Sequence, residues 1–227
     1  MLTDTMTYEE VVKELVKDEN LLSHKLADAG KEFTKRMRTA QNRDAVYYSP
    51  IEFKSSRGFN WVIQFVNYGL NFPSKKRLNY HTYAWYNQNK RMYFVDVCPE
   101  ASEGDIGFTR YMVYTSHFVE RYKERFLKDS TIKKTDAFHH FILNNNIEIG
   151  TKLETTNVKY PDAYWEMCNH GLCLCQSINN SIILARTFIT WNMAHLDQQQ
   201  FASDGQKYAE SLGLKLDINL PDEDEDL

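Results

Sequence analysis

TSHFVERYKERF, residues 115–126, is the stretch of sequence from which the fold can be built outward. Its apolar residues recur at helical spacing, and the residues just before it favour a strand. Thr115 suits the N-cap position of the helix. His117, Arg121 and Arg125 follow at intervals of four residues, which places them together on one side of the helix. The stretch therefore predicts a strand that leads into a helix with a basic stripe along the edge of its buried face.

This basic stripe has two interpretations. A neutral imidazole at His117 can accept a proton while Arg121 and Arg125 hold a phosphate group. Alternatively, the two arginines pair with Glu120 and Glu124 as an ordinary solvated ion-pair surface. Both interpretations stay open at the level of sequence.

Helical and strand-forming stretches alternate along the rest of the chain. They predict an α+β fold, with an N-terminal helix, a mostly antiparallel β-sheet, a central helix pair and a further antiparallel β-meander. No Pro-, Gly- or Ser-rich linker divides the sequence, so we expect one domain over 1–216, followed by a disordered acidic tail over 217–227. The expected parts are a helical segment at 1–43, a β-rich segment at 44–114, the helix pair at 115–146, a second β-rich segment at 147–190 and a terminal helix at 201–213.

The N-terminal segment begins with Thr7-Tyr-Glu-Glu10, which has the pattern of a capping box. Apolar residues follow at helical spacing, with a break expected near Glu19–Leu21 or at Gly30. The second half of this segment is basic. Such a helix can bind nucleic acid or a protein partner, and it can also pack on its own domain with its lysines in water.

The composition indicates a soluble globular protein. Of the 227 residues, 42% are hydrophobic, and no run is long and apolar enough for a membrane span. The first residues lack the pattern of a signal peptide, so we expect a cytoplasmic protein without a membrane partner. Four cysteines do not make a disulfide framework for a chain of this size and are expected to be reduced. The net charge is −4, but five acidic residues at 222–226 account for it, so the remainder is slightly basic.

A second basic segment is a candidate for nucleic-acid binding. Lys75, Lys76 and Arg77 lead into an aromatic-rich strand that includes Trp85. Single-stranded RNA is commonly bound by cations that pair with phosphates and by exposed rings on which bases stack. Against this, rings in an antiparallel strand usually pack inward, and the basic residues then merely solubilise a loop.

The predicted hairpin at 168–175 has to be considered as a zinc site. Cys168, His170, Cys173 and Cys175 are ligand types for zinc, and the last two point to the same side of a strand. The spacing lacks the Cys-x2-Cys knuckle, however, and free cysteine is a common buried residue, so buried thiols are favoured over a metal. Phosphate-binding loops, nucleophile elbows and dinucleotide fingerprints are missing from the sequence, so we expect no cofactor.

A family resemblance combines the central helix with the end of the last predicted strand. A His-x3-Arg-x3-Arg helix, a second short helix and an antiparallel sheet that ends in an Arg-Thr strand resemble the RelE-like toxins of the barnase–EndoU–colicin nuclease superfamily. The resemblance covers residues 114–190 and implies metal-independent RNA cleavage, in which the 2′-hydroxyl attacks the adjacent phosphate. The site that it implies has His117 as the base, Arg121 and Arg125 as phosphate ligands, and Arg186 with Thr187 or Thr190 as its remaining members.

Two functions follow from these patterns. The first is a metal-independent ribonuclease or RNA-binding protein, with RNA as its partner. The second is a non-catalytic intracellular protein that binds another protein through its N-terminal helix and in which the His/Arg helix is structural. The two differ in what they require of His117, because catalysis needs it open to a cleft and near Arg186.

Overall fold

A computed structural model describes residues 2–39, 50–66, 79–102, 105–145, 149–153 and 162–211, together with 218 and 220. These residues form five α-helices and nine strands with mostly antiparallel pairing, which confirms the predicted α+β class. Within the same ranges, no helix combines the length and the apolar character that crossing a membrane requires. The chain divides into two compact units, Met1–Pro99 and Glu100–Leu227. The expected single domain over 1–216 and the disordered tail stay predictions.

Two helices open the first unit, α1 (Tyr8–Val16) and α2 (Glu19–Thr39). The predicted capping box is present at the start of α1. The Thr7 side chain accepts a hydrogen bond from the Glu10 amide, and the Glu10 carboxylate accepts one from the Thr7 amide. The chain leaves the helical path at residues 17–18, close to the first of the two expected breaks.

Four strands follow: β1 (Ile51–Lys54), β2 (Asn60–Val66), β3 (Asn79–Gln88) and β4 (Arg91–Ser102), whose first residues lie in this unit. They pair in chain order as the antiparallel meander that the sequence predicts. Asn89 and Lys90 form the turn between β3 and β4, with φ angles of 51° and 60°. Positive φ at both central residues matches the twist that a two-residue hairpin turn needs.

The second unit carries the central helix. Its elements are β5 (Asp105–Tyr114), α3 (Ser116–Tyr122) with a further π-helical turn (Lys123–Leu127), α4 (Lys134–Asn144), β6 (Ile149–Lys152), β7 (Ala163–Cys168), β8 (Gly171–Ser177), β9 (Ile182–Thr190) and α5 (Leu196–Ser211). The strands lie in the order β5-β9-β8-β7-β6. The pairs from β6 to β9 are antiparallel, as expected for a meander, whereas β5 and β9 are parallel. The terminal helix starts at Leu196, five residues before its expected start.

The sheet of the second unit is covered on both faces. Phe188 of β9 packs its ring against Phe118, Tyr122 and Phe141, which belong to α3 and α4. Its neighbour Ile189 belongs instead to a cluster that includes Ala202 and Ala209 of α5. Because consecutive strand residues point to opposite faces, the α3–α4 pair lies on one face and α5 on the other.

Candidate functional site

The predicted basic stripe forms in part. Arg121 donates from Nε to Nε2 of His117 at 3.4 Å, so these two side chains are brought together on α3. Arg121 also forms an ion pair with Glu124, and the His117 side chain is exposed to solvent. The surface is thus built from an imidazole, a guanidinium and a carboxylate, and it contains the ion pair that the structural interpretation requires.

Arg125, the last member of the stripe, helps to anchor the helix to β9. The strand β5 ends opposite Ala185, so the following residues of β9 extend beyond it. Thr115 donates from its backbone amide to the Ala185 carbonyl and from its hydroxyl to the Arg186 carbonyl, each at 3.1 Å. Arg125 donates to the carbonyl of Phe188. Burial, followed by the charge of Arg121, lowers the pKa of Arg125 from its ordinary value.

The strand residues of the predicted site, Arg186, Thr187 and Thr190, have partners in β8. Thr187 lies opposite Leu174, which packs against the core on the α5 face. The next register pair joins Ala185 and Cys175, so Arg186 is the extra residue of a β-bulge. Its guanidinium donates to the Gln176 side chain at 3.0 Å. Thr190 pairs with Gly171 at the other end of the strand. The structure therefore brings His117 and Arg121 together, while the contacts that it describes for Arg186, Thr187 and Thr190 are with β8.

The structure describes only part of the proposed nucleic-acid segment. Lys75, Lys76 and Arg77 lie outside the described residues. Trp85 is half-buried in β3, where it lies opposite Asn60 on one side and Phe94 on the other. Its backbone carbonyl accepts a hydrogen bond from the Asn60 side chain at 3.3 Å.

The cysteine-containing hairpin is part of the core. Cys168, Cys173 and Cys175 are buried thiols, and burial raises the pKa of the Cys173 thiol well above its ordinary value. Cys168 donates to the Gly171 carbonyl at 3.3 Å, while His170 turns its Nδ1 toward Tyr122. Throughout the described ranges, no three His, Cys, Asp or Glu side chains form a group that could hold a metal ion.

A second candidate site lies on the same helix, at Tyr122. The Tyr122 side chain is fully buried, and its hydroxyl lies 2.9 Å from Nδ1 of His140 and 2.8 Å from Nδ1 of His170. The ring of Phe126, one turn further along, stacks on His170 with a centroid distance of 3.8 Å. The centroids of the two imidazoles are 6.0 Å apart. Two titratable rings are therefore linked by one hydroxyl; we call Tyr122, His140 and His170 the tyrosine–histidine cluster.

The cluster combines burial with access to water. His140 is exposed, His170 is half-buried, and in the described part of the chain no hydrogen bond engages Nε2 of either ring. Burial, together with the nearby His140, lowers the pKa of His170 to about 4. Partial desolvation of the ring lowers the pKa of His140, and burial raises the pKa of Tyr122. Both imidazoles therefore favour the neutral form, in which one ring nitrogen is a base and the other a donor.

The pKa of His170 predicts a loss of stability in mild acid. Its ordinary value is 6.5 and its folded value about 4, so the unfolded chain binds more protons between these two pH values. The free energy of unfolding should therefore fall as the pH drops from about 6.5 to 4, by on the order of 2 kcal/mol, because partial solvation reduces the full linkage effect. Urea unfolding of wild type and His170→Gln at pH 7 and pH 4.5 measures this contribution. Equal acid sensitivity of the two proteins would contradict it.

The sequence patterns did not identify the tyrosine–histidine cluster. Tyr122 lies on the buried face of the helix, as the spacing of the apolar residues in 115–126 predicts, but no pattern links it to His140 or His170. In the chain, Tyr122 is separated from His140 by 18 residues and from His170 by 48 residues. The sequence singled out His170 only as a candidate zinc ligand.

Comparison of the chain with family models, with curated proteins and with solved structures gives no match.

Proposed function

We propose that the second unit cleaves RNA without a metal ion, with the imidazoles of His140 and His170 as its acid–base pair. The observation that carries the proposal is that both rings are held by one buried hydroxyl, that of Tyr122, at 2.9 and 2.8 Å. Their centroids are 6.0 Å apart, which is close enough for one phosphate group to reach both. A fixed pair of neutral imidazoles with unengaged Nε2 atoms is suited to take one proton and give another.

RNA is the substrate class that fits an imidazole pair of this kind. The cluster offers proton donors and acceptors, and RNA brings its own nucleophile, the 2′-hydroxyl beside the scissile phosphate. One imidazole can take the proton of that hydroxyl while the other protonates the departing 5′-oxygen, which yields a 2′,3′-cyclic phosphate. The protein then needs only acid–base groups and positive charge around the phosphate.

The neighbouring side chains supply positive charge and a stacking surface. Arg121, Arg125 and Lys128 lie on the helical segment that carries Tyr122 or directly after it. Phe126 is half-buried and already stacks on His170, so it can extend this stack to a nucleobase. In this proposal the basic stripe that begins at His117 holds the RNA backbone, and the proton transfers take place at the tyrosine–histidine cluster.

The proposal is tested by RNA cleavage in EDTA at pH 7. A mixed-sequence, end-labelled RNA is incubated with wild type, His140→Ala, His170→Ala and His195→Ala at matched folded concentration. We expect cleavage by wild type and at least a 100-fold lower rate for the first two variants, in line with the usual contribution of acid–base groups. His195 is exposed at the start of α5, so its variant controls for the loss of a histidine.

Two other results would count against this assignment. A rate that falls for His117→Ala or Arg121→Ala and not for the cluster variants would move the chemistry to the basic stripe. An inactive wild type would favour the alternative function, a protein that binds a protein partner through its N-terminal helices. That alternative is supported by two apolar side chains in this region, Val16 and Leu21, which are 39% and 38% exposed.

A further inference from the structure

We propose that Asn145 sets the direction of the hydrogen bonds in the tyrosine–histidine cluster. It thereby makes His140 the base and His170 the acid of a proton relay that passes through Tyr122. The inference rests on the proposed function for its role in catalysis. The hydrogen-bond direction itself follows from the contacts of one amide, that of Asn145, and can be measured without a substrate.

The orientation of the Asn145 amide is fixed by two backbone groups. Its Oδ1 accepts a hydrogen bond from the backbone N–H of His170 at 3.0 Å, and its Nδ2 donates to the carbonyl of Phe141 at 2.8 Å. A backbone N–H can only donate and a carbonyl oxygen can only accept, so exchanging the two ends of the amide would break both bonds. The side chain is also buried, with 2% of its surface exposed.

The fixed amide determines the protonation of His170. Nδ2 of Asn145 lies 3.2 Å from Nδ1 of His170. Because Nδ2 can only donate, Nδ1 has to be an acceptor, and the single proton of the neutral ring is on Nε2. Tyr122 contacts the same Nδ1 at 2.8 Å, so its hydroxyl must also donate to it.

The same reasoning gives the direction of the hydrogen bond between Tyr122 and His140. The Tyr122 hydroxyl has one proton, which points to His170, so its oxygen accepts from Nδ1 of His140 at 2.9 Å. His140 therefore carries its proton on Nδ1 and has a free lone pair on Nε2. Among the described residues no hydrogen bond engages this Nε2, and the ring is exposed. The cluster thus presents a base at His140 and an N–H donor at His170.

A proton can cross the cluster with every atom accounted for. Nε2 of His140 takes the proton of the substrate 2′-hydroxyl, and the Nδ1 proton of His140 passes to the Tyr122 oxygen. The original hydroxyl proton of Tyr122 passes to Nδ1 of His170, and His170 releases its Nε2 proton to the leaving 5′-oxygen. The new bond joins the 2′-oxygen to phosphorus, and the bond from phosphorus to the 5′-oxygen breaks. No protein group changes its net charge.

Asn145 also favours the return of the relay to its starting state. After the transfer, His170 carries a proton on Nδ1, which faces the N–H of the Asn145 amide, so two donors oppose each other. Hydrolysis of the cyclic phosphate runs the same proton path in reverse and restores the original tautomers. Asn145 acts through His170 and is a positioning residue, since it contacts neither reacting oxygen.

The test is the tautomeric state of the two histidines, read from ¹⁵N shifts and long-range ¹H–¹⁵N couplings of the full chain at pH 7.5. We expect His170 protonated on Nε2 and His140 on Nδ1 in wild type. In Asn145→Asp a carboxylate can only accept, so His170 should move its proton to Nδ1 and, through Tyr122, His140 should move its proton to Nε2. Asn180→Asp adds the same charge in the exposed turn between β8 and β9 and should leave both tautomers unchanged.

A second variant covers the case in which Asn145→Asp does not fold. Tyr122→Phe removes the hydroxyl but keeps the Asn145 contact, so His170 should keep its Nε2 proton while His140 loses its preference for Nδ1. A wild-type His170 protonated on Nδ1 would overturn the inference, and so would tautomers in folded Asn145→Asp that match wild type. The expected tautomers in a protein that does not cleave RNA would instead reject the proposed function and leave the hydrogen-bond direction established.

Discussion

Glu166→Ala is expected to lower the free energy of unfolding of the second unit by about 3 kcal/mol. Glu166 of β7 is fully buried, and Arg110 of β5 donates to its two carboxylate oxygens at 3.1 and 3.0 Å. Removing one partner of a buried ion pair leaves the other charge without its main compensation, which commonly costs about 3–5 kcal/mol. The lower end applies because the Arg110 side chain is 29% exposed and also donates to the Tyr164 hydroxyl.

The matched control is Glu124→Ala, which removes a carboxylate from an exposed ion pair. Its partner is Arg121, and the two side chains are 47% and 37% exposed, so the loss should stay below about 1 kcal/mol. Urea unfolding, with hydrogen exchange of the β7 and β8 amides as the local probe, compares the two variants. Similar losses would show that burial does not increase the cost of breaking the Arg110–Glu166 pair. Glu166→Gln should fall between them, because it keeps an acceptor and loses the charge.

Local chemistry explains which parts of the fold could be predicted from the sequence. The start of α3 was predictable because Thr115 is a good N-cap residue, and its hydroxyl indeed accepts from the Phe118 amide at 3.1 Å. The meander from β7 to β9 was predictable because turn residues separate short β-forming runs. By contrast, the parallel pairing of β5 with β9 joins segments that are far apart in the chain. Thr115, directly after β5, and Arg186 of β9 share a hydrogen bond and are separated by 71 residues. Single-sequence patterns contain no information about such a pairing.

The same distinction explains the outcome for the site. Helical spacing correctly placed His117 beside Arg121, since both are on one helix. Arg186 was associated with them through its position at the end of a strand; it is the extra residue of the bulge in β9, and its guanidinium donates to the Gln176 side chain. The cluster at Tyr122 depends on a helix, a second helix and a hairpin that meet only in the folded unit. A tyrosine on a buried helical face gives no sign of the polar partners that its hydroxyl will find.

The packing beneath the cluster should govern its geometry, and Phe188→Ala tests this. The fully buried Phe188 ring lies 5.2 Å from the ring centroid of Tyr122 and 5.9 Å from that of Phe118. Its removal is expected to cost about 3–5 kcal/mol, because it leaves a cavity among aromatic rings. The Tyr122 ring, which also packs against Phe141, should then lose its fixed position, and both histidines should lose their single tautomers in ¹⁵N spectra.

Ile189→Ala provides the control on the opposite face of the same strand. Ile189 packs with Ala202 and Ala209 of α5, so its removal should cost about 2–4 kcal/mol without reaching the cluster. If packing of the α3–α4 face holds the tyrosine hydroxyl in place, Phe188→Ala disturbs the His140 and His170 signals and Ile189→Ala does not. Disturbance by both variants would mean that the cluster reports only on the overall stability of the unit. Disturbance by neither would mean that the hydrogen bonds of Asn145 suffice to hold it.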